Sequence, residues 1–567
     1  MAEGAVKPRL PDEWDHPDKL DAGLLRITGV CVLARIMVIL DITIVSVAQR
    51  TFITQFGSTQ AVVAWTITGY TLALATVIPM AGWAADRVGT KRLFLGSVLA
   101  FACGSLLCAM APNITALIAF RVLEGLGGGM LLPLKYTILT REAGPRRLGR
   151  LMAALAIPTL LGPVCGPVLG GWLIGMLDWQ WIFLINVPTG LIVFVIAGIV
   201  LPKDQPTTVG SFDLVGMLLL SPGLAAFLYG LSSVPGRGTV ADFHVWMPAT
   251  VGLGLITGFV FHALYRADHP LIDLRLFKIP VVALAAAGMF FYDAAVHGAV
   301  LLLPSYLQQV LHQTPLQSGV HLIPKGLGAM LTVLIAGAIT DKRGPRRIVS
   351  AGVVLIAMGM SIFTYGVSQQ APYRPILLAG LAIIGMGMGC IMVPLSTAAM
   401  RVLRPDQVAR GSTLISVNMQ AAASVGTALM AVILTSQFNR SENVSAANKL
   451  AILRADDARR GVPLDSSALP RHVLAPDFTG NVLHDLSHAY AAVFAVAVVL
   501  VALAFIPVAF LPENPVAPVL QQPPLPARVS APEQPLRDPF GRAHRIGRLH
   551  PRVDRVIEPQ HRKPVRQ

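Results

Sequence analysis

Apolar runs of about twenty residues recur along most of this chain, and no other feature restricts its fold as strongly. A helix rises 1.5 Å per residue, so about 20 apolar residues are what a hydrocarbon layer ~30 Å thick demands. The runs fall at roughly 26–48, 61–81, 93–111, 115–138, 151–176, 181–201, 214–233, 245–265, 280–303, 318–340, 347–367, 375–400, 412–436 and 487–511. Composition agrees: of 567 residues 54% are hydrophobic and 13% charged, where a soluble domain carries roughly a quarter charged residues. The expectation is an all-α membrane protein of fourteen spans, which puts both termini on one side.

Charge placement sets that side. The net charge is +15, but the cations sit in short loops and near the C-terminus rather than along one basic face, which argues against nucleic acid. Starting from a cytoplasmic N-terminus, the inner loops gather Arg87, Lys91, Arg92, Arg141, Arg146, Arg147, Arg150, Lys342, Arg343, Arg346, Arg347 and several more, against Arg50, Arg237 and Arg374 in the short outer loops. That asymmetry predicts both ends in the cytoplasm. Residues 1–25 lack a charged stretch followed by an apolar core, so no cleavable signal is expected there. One outer loop, about 437–486, is long and of mixed charge. The stretch 512–567 is rich in proline and in Lys/Arg and reads as a disordered basic cytoplasmic tail that meets membrane lipids or simply stays solvated. Five cysteines fall inside apolar stretches, with neither a CxxC pair nor a Cys/His metal spacing, so no metal site or disulfide framework is expected.

An internal repeat divides the chain. GWAADRVGTKR (Gly82–Arg92) between spans two and three matches GAITDKRGPRR (Gly337–Arg347) between spans ten and eleven, 255 residues later (337 minus 82). Both read G-x-x-x-D-[RK]-x-G-x-[RK]-R. Two related six-helix bundles, 26–201 and 280–511, follow from it, with an inserted pair of helices over 214–265. Halves that face one another across a midplane site are how such transporters alternate access. Gly82 and Gly89 permit close approach and a tight turn. Asp86 is expected to take helix N-terminal amides or to pair with Arg87 or Arg92. The second copy offers Gly337, Asp341, Lys342, Gly344 and Arg347 as the matching gate.

With that repeat in place the chain resembles the major facilitator superfamily, and within it the fourteen-span drug:proton antiporter group of the EmrB/QacA type. The resemblance is carried by LDITIVSVA (Leu40–Ala48), WTITGYTLALA (Trp65–Ala75), RVLEGLGGG (Arg121–Gly129), GPVCGPVLGGW (Gly162–Trp172), WQWIFLINVPTG (Trp179–Gly190) and HPLIDLRLF (His269–Phe277), and runs from about residue 30 to 511. The chain departs from the group's usual pattern at Ser46, Gln49, Arg50 and Glu124. The resemblance implies alternating access driven by a proton gradient without any cofactor, and export rather than uptake. The export inference attaches to the fifth-span motif Gly162, Pro163, Gly166, Pro167, Gly170 and Gly171. Its glycines at four-residue spacing also make a close-packing helix face, and its prolines favour bending.

Charges inside the layer are expensive and mark function. Asp41 lies about fifteen residues, roughly 22 Å, into the first span. Arg121 and Glu124 share a face of the fourth. Asp293 follows Asp41 at nearly the repeat offset, with His297 one turn beyond. Asp41, Glu124, Arg121 and Asp293 are the expected proton-coupling set. Arg35 and Lys325 are further intramembrane cations, Arg35 expected to snorkel inward and Lys325 to neutralise an acid. Trp65, Tyr70, Phe290, Phe291, Tyr292, Tyr306, Gln308, Gln309, Asn418 and Gln420 offer a permissive aromatic and amide surface, with about half expected to touch the cavity.

The reading is a multi-pass exporter in the cytoplasmic membrane that exchanges small amphipathic or cationic drugs for protons. Export of one native metabolite, lipid or siderophore-like product is the alternative within transport, and a non-transporting scaffold or sensor is the alternative outside it. No GxxxxGK[ST] loop and no nucleophile–base pair on a soluble domain occurs, which disfavours an ATP-driven pump and an enzyme. An accessory envelope protein is left open.

Overall fold

A computed structural model describes residues 21–58, 60–204, 212–233, 241–267, 270–404, 407–447, 450 and 477–513. The start of the N-terminal segment, much of the long outer loop and the tail from 514 lie outside the described residues. No strand occurs among the described residues, as expected where every backbone polar group in lipid must be satisfied within its own segment. Thirteen described helices are long and apolar enough to cross a membrane.

The first half comprises α1 (Ala22–Val47), α2 (Trp65–Val77), α3 (Ala81–Val88), α4 (Thr90–Ala109), α5 (Ile114–Met176) and α6 (Asn186–Val200). Next come α7 (Leu214–Ser232) and α8 (Phe243–Tyr265). The second half holds α9 (Pro280–Gln309), α10 (Ile323–Arg343), α11 (Arg346–Ser368), α12 (Leu378–Gly389), α13 (Met392–Arg401), α14 (Val408–Arg440) and α15 (Phe478–Ala509).

Polar loop residues start these helices where the apolar runs begin. Asp21, Asn113, Asp213 and Asp242 each accept a hydrogen bond from a backbone N–H in the first turn of α1, α5, α7 and α8, satisfying donors that have no partner within the helix. Gly89 (φ +98°) and Gly344 (φ +81°) end α3 and α10, in backbone conformations that L side chains rarely adopt.

The expected fourth and fifth spans lie in one unbroken helical assignment, α5. Its 63 residues would reach about 95 Å if straight, three layer thicknesses. Yet Arg121 near its start pairs with Asp41 of α1, and Gly162 far along it packs on Ile39 of the same α1 turn. The chain therefore reverses between them, and both limbs stand against α1.

The inserted pair packs through small residues. A Cβ on Gly230 would come within 2.7 Å of Ala249 N, and Gly252 lies against the backbone of Phe227. The pair leans on the first half: Ser221 Oγ donates to Thr76 O at 2.7 Å, and Trp83 and Phe212 meet at 4.4 Å between centroids. One apolar core runs through both halves, with Leu134 and Tyr136 in the same cluster as Val296 and Ile415. A second cluster around Tyr306, Phe363, Tyr490 and Phe494 belongs to the second half.

Candidate functional site

The central charge network is assembled from five elements of the first half. Arg121 on α5 is 1% exposed, Asp41 on α1 1% and Glu124 0%. Arg121 Nη1 donates to Asp41 Oδ1 at 3.0 Å, to Asp41 Oδ2 at 2.8 Å and to Glu124 Oε2 at 2.7 Å. Its Nε donates to Thr66 O at 3.0 Å, and its guanidinium carbon lies 4.1 Å from the ring centroid of Tyr70. On the other side of Asp41, Asn186 Nδ2 donates to Oδ1 at 3.2 Å and to Ser105 Oγ at 3.0 Å, while Ser105 Oγ donates to Phe183 O. Cys108 Sγ lies 3.4 Å from Glu124 Oε2, and Glu124 Oε1 is buried with no hydrogen bond among the described residues. Two carboxylates thus face one guanidinium in an apolar layer. Buried charges persist only when paired, so binding or losing a single proton changes whether this cluster is balanced.

The glycine motif of the fifth span builds the wall behind Asp41. Gly162 packs on Ile39, Gly166 on Thr43, and Gly170 on Ile44 at 3.2 Å, so three helical turns of α5 follow three successive contacts on α1. Gly171 has open space beside it. The side chains of Pro163 and Pro167 lie outside the described residues.

The duplicated loop motif closes the opposite rim. A Cβ on Gly82 would meet Thr413 Oγ1 at 2.9 Å and Ala409 O at 3.1 Å, both on α14 of the other half. A Cβ on Gly337 would meet Gly149 O at 2.7 Å and Ala153 Cβ at 3.2 Å on α5. Between these crossings Thr137 Oγ1 and Ser412 Oγ share a hydrogen bond of 2.7 Å. Asp86 departs from expectation. Among the described residues it pairs not with Arg87 or Arg92, both exposed, but with Arg141, whose Nη2 donates to Oδ1 at 2.9 Å while Nη1 donates to Thr90 Oγ1. The amides at the start of α4 are taken by Asp204, which accepts from Lys91 N at 2.8 Å and Arg92 N at 3.2 Å. In the second copy Arg401 Nη1 donates to Thr340 O, beside Asp341, whose side chain lies outside the described residues. Lys342 is exposed, and Arg346 and Arg347 pair with Glu513 at 3.1 and 3.9 Å.

Asp293 stands apart from the Arg121 network. It is 1% exposed, neither oxygen has a hydrogen bond among the described residues, and His297 Nδ1 lies 3.7 Å from Oδ1. The expected aromatic surface divides. Tyr70 belongs to the charge network. Trp65 turns to the inserted pair, stacking on Tyr229 at 5.5 Å. Tyr306 is a core residue among Phe363, Tyr490 and Phe494, and Tyr292 is likewise buried. Phe291 is half-buried, edge-on to Phe290. Gln308 is exposed, Gln309 Oε1 accepts from Tyr490 at 3.0 Å, and half-buried Gln420 follows Asn418, whose Nδ2 donates to Ala286 O at 3.0 Å. Sequence reasoning overlooked Asn186 and Ser105; each is a polar residue inside an apolar run, the signal that picks out Asp41.

A profile of the Major Facilitator Superfamily matches residues 31–427. The chain is 62% identical over 510 residues to a multidrug resistance protein B homolog of Mycobacterium tuberculosis (strain ATCC 25618 / H37Rv), covering 90% of this chain and 94% of that protein. It is 30% identical over 430 residues to the multidrug export protein EmrB of Escherichia coli (strain K12), covering 73% and 81%. Among solved structures, the human organic anion transporter MFSD10 (TETRAN) superposes with a TM-score of 0.54 at 16% identity, over 84% of this chain and 99% of that one, a likeness of fold.

Proposed function

This chain belongs to the Major Facilitator Superfamily and is a multi-pass membrane transporter, and on that footing we propose that it exports small amphipathic compounds across the cytoplasmic membrane in exchange for protons. The observation that carries the reading is the sealed cluster of Asp41, Arg121 and Glu124. Two acids on one cation leave one negative charge unmatched, and one bound proton removes it. Proton uptake and release therefore change which partners α1 and α5 require of each other, and the glycine seam of Gly162, Gly166 and Gly170 connects that change to the reversed limb of α5. Relatives named for multidrug resistance and export support the outward direction.

In this reading the chain makes fourteen spans, the reversal within α5 supplying the one beyond the thirteen, and both termini are cytoplasmic. The closed rim of Gly82, Gly337, Thr137 and Ser412 is then the cytoplasmic gate, held shut as substrate leaves on the far side. One proton falling through 100 mV supplies about 2.3 kcal/mol, enough for roughly fifty-fold accumulation of an uncharged substrate.

Proteoliposomes with an imposed pH gradient and a panel of amphipathic dyes test the proposal. Wild type expels dye as the gradient is applied, and Asp41→Asn and Glu124→Gln each abolish the gradient-driven component. Wild-type flux in both variants removes the coupling role.

A further inference from the structure

The two acids that share Arg121 are not equivalent. Asp41 receives hydrogen bonds on both oxygens: Arg121 Nη1 donates to Oδ1 at 3.0 Å and to Oδ2 at 2.8 Å, and Asn186 Nδ2 donates to Oδ1 at 3.2 Å. Glu124 receives them on one oxygen only. Its Oε2 takes Arg121 Nη1 at 2.7 Å and the Cys108 thiol at 3.4 Å, while Oε1 is buried with no hydrogen bond among the described residues. An ionised carboxylate offers acceptor sites on both oxygens, whereas a neutral acid pairs an accepting carbonyl oxygen with a hydroxyl that needs no donor. Asp41 has the pattern of the first and Glu124 that of the second. Glu124 is 0% exposed, so bulk solvent does not stand in for the missing donor at Oε1.

Asn186 creates the difference. It opens α6 and is 3% exposed, and its Nδ2 donates to Ser105 Oγ at 3.0 Å as well as to Asp41. Ser105 gives its own hydroxyl proton to Phe183 O, so its oxygen is left to accept, and the amide nitrogen of Asn186 faces both acceptors. A hydrogen bond to a carboxylate favours the charged form, and Glu124 has no equivalent amide among the described residues. The other titratable groups at the cluster do not redress this: Cys108 of α4 points at Oε2, and Tyr70 of α2 lays its ring against Arg121.

Resting on the antiport reading above, we propose that Glu124 carries the exchanged proton, at Oε1, while Asp41 stays ionised as the standing partner of Arg121, and that Asn186 is the positioning residue that holds the two acids to these roles. Proton binding converts the Glu124 carboxylate to the neutral acid and takes the cluster from one net negative charge to none. Release leaves a charge on Oε1 for which this packing has no donor, a demand met when the cluster opens to water or to a donor group on the substrate. Asp41→Asn and Glu124→Gln then uncouple transport for different reasons: the first commits Glu124 to Arg121, and the second removes the carrier.

Isotope-edited infrared spectroscopy on purified full-length protein tests the assignment without depending on transport. Asp293, the other buried acid without a hydrogen bond among the described residues, is replaced by Asn in every sample so that it adds no band. At neutral pH one protonated-carboxyl band is expected. Carbon-13 in the glutamate carboxyls shifts it, carbon-13 in the aspartate carboxyls does not, and Glu124→Gln removes it. Asn186→Ala moves the ratio of glutamate to aspartate band about tenfold toward aspartate, a transfer that lost packing alone does not produce. A band that follows the aspartate label, or no protonated band, overturns the assignment to Glu124. An unchanged ratio in Asn186→Ala overturns the role of Asn186. A glutamate band without gradient-driven flux in proteoliposomes overturns the antiport reading and leaves the proton on Glu124.

Discussion

Arg121 reaches Asp41 from eighty residues further along the chain and holds both of its oxygens with one nitrogen, at 3.0 and 2.8 Å. The same nitrogen holds Glu124, so neither acid has an independent cation. Removing the arginine strands two buried carboxylates, whereas removing all three charges strands none. Arg121→Met is expected to cost about 3–5 kcal/mol of stability, and Asp41→Asn with Glu124→Gln in the same chain to return most of it. Unfolding in detergent micelles measures both. A triple variant as unstable as Arg121→Met alone places the cost in lost packing on Tyr70 instead.

The glycine seam predicts a compensating pair. A Cβ at Gly162 collides with Cγ2 of Ile39, while Ile39 Cβ stands 3.4 Å away. Gly162→Ala is therefore expected to destabilise by about 1–3 kcal/mol through overpacking and to impair transport. Ile39→Ala, which removes Cγ2, restores much of both. Thermal unfolding and dye efflux report the two effects side by side.

The rim hydrogen bond offers a lock. Thr137 Oγ1 and Ser412 Oγ are 2.7 Å apart, so cysteines at the two positions have their sulfurs within reach of a disulfide. In a background lacking the five native cysteines, oxidised T137C/S412C is expected to stop transport and a reductant to restore it. Continued flux with the disulfide formed shows that this contact does not open during the cycle.

Gly89 carries two constraints at once. Its φ of +98° belongs to a region costing a side chain of order 1–3 kcal/mol, and a Cβ there collides with the Asp204 carboxylate that caps α4. Gly89→Ala is expected to lose both the turn and the cap. Asp204→Ala loses the cap alone, about 1 kcal/mol. Comparing their unfolding midpoints separates the two contributions.

Much of this was legible in the sequence, for reasons that differ by residue. The spans follow from hydropathy because lipid tolerates little else, and Asp41, Arg121 and Glu124 stood out because charge in lipid is rare. The partner of Asp86 was not legible. Arg87 and Arg92 are its neighbours along the chain, but they point to solvent, and the fold brings Arg141 from within α5. The aromatic residues misled in another way. A ring in an apolar helix announces burial without saying in which interface, so Trp65 went to the inserted pair and Tyr306 to the core.

The two rim glycines cross over: Gly82 of the first half docks on Ala409 of the second, and Gly337 of the second docks on Gly149 of the first. Each half therefore presents its partner with the same bump and hollow, as the subunits of a twofold dimer do. A twofold rocking motion would release both contacts together, with neither half as the fixed frame.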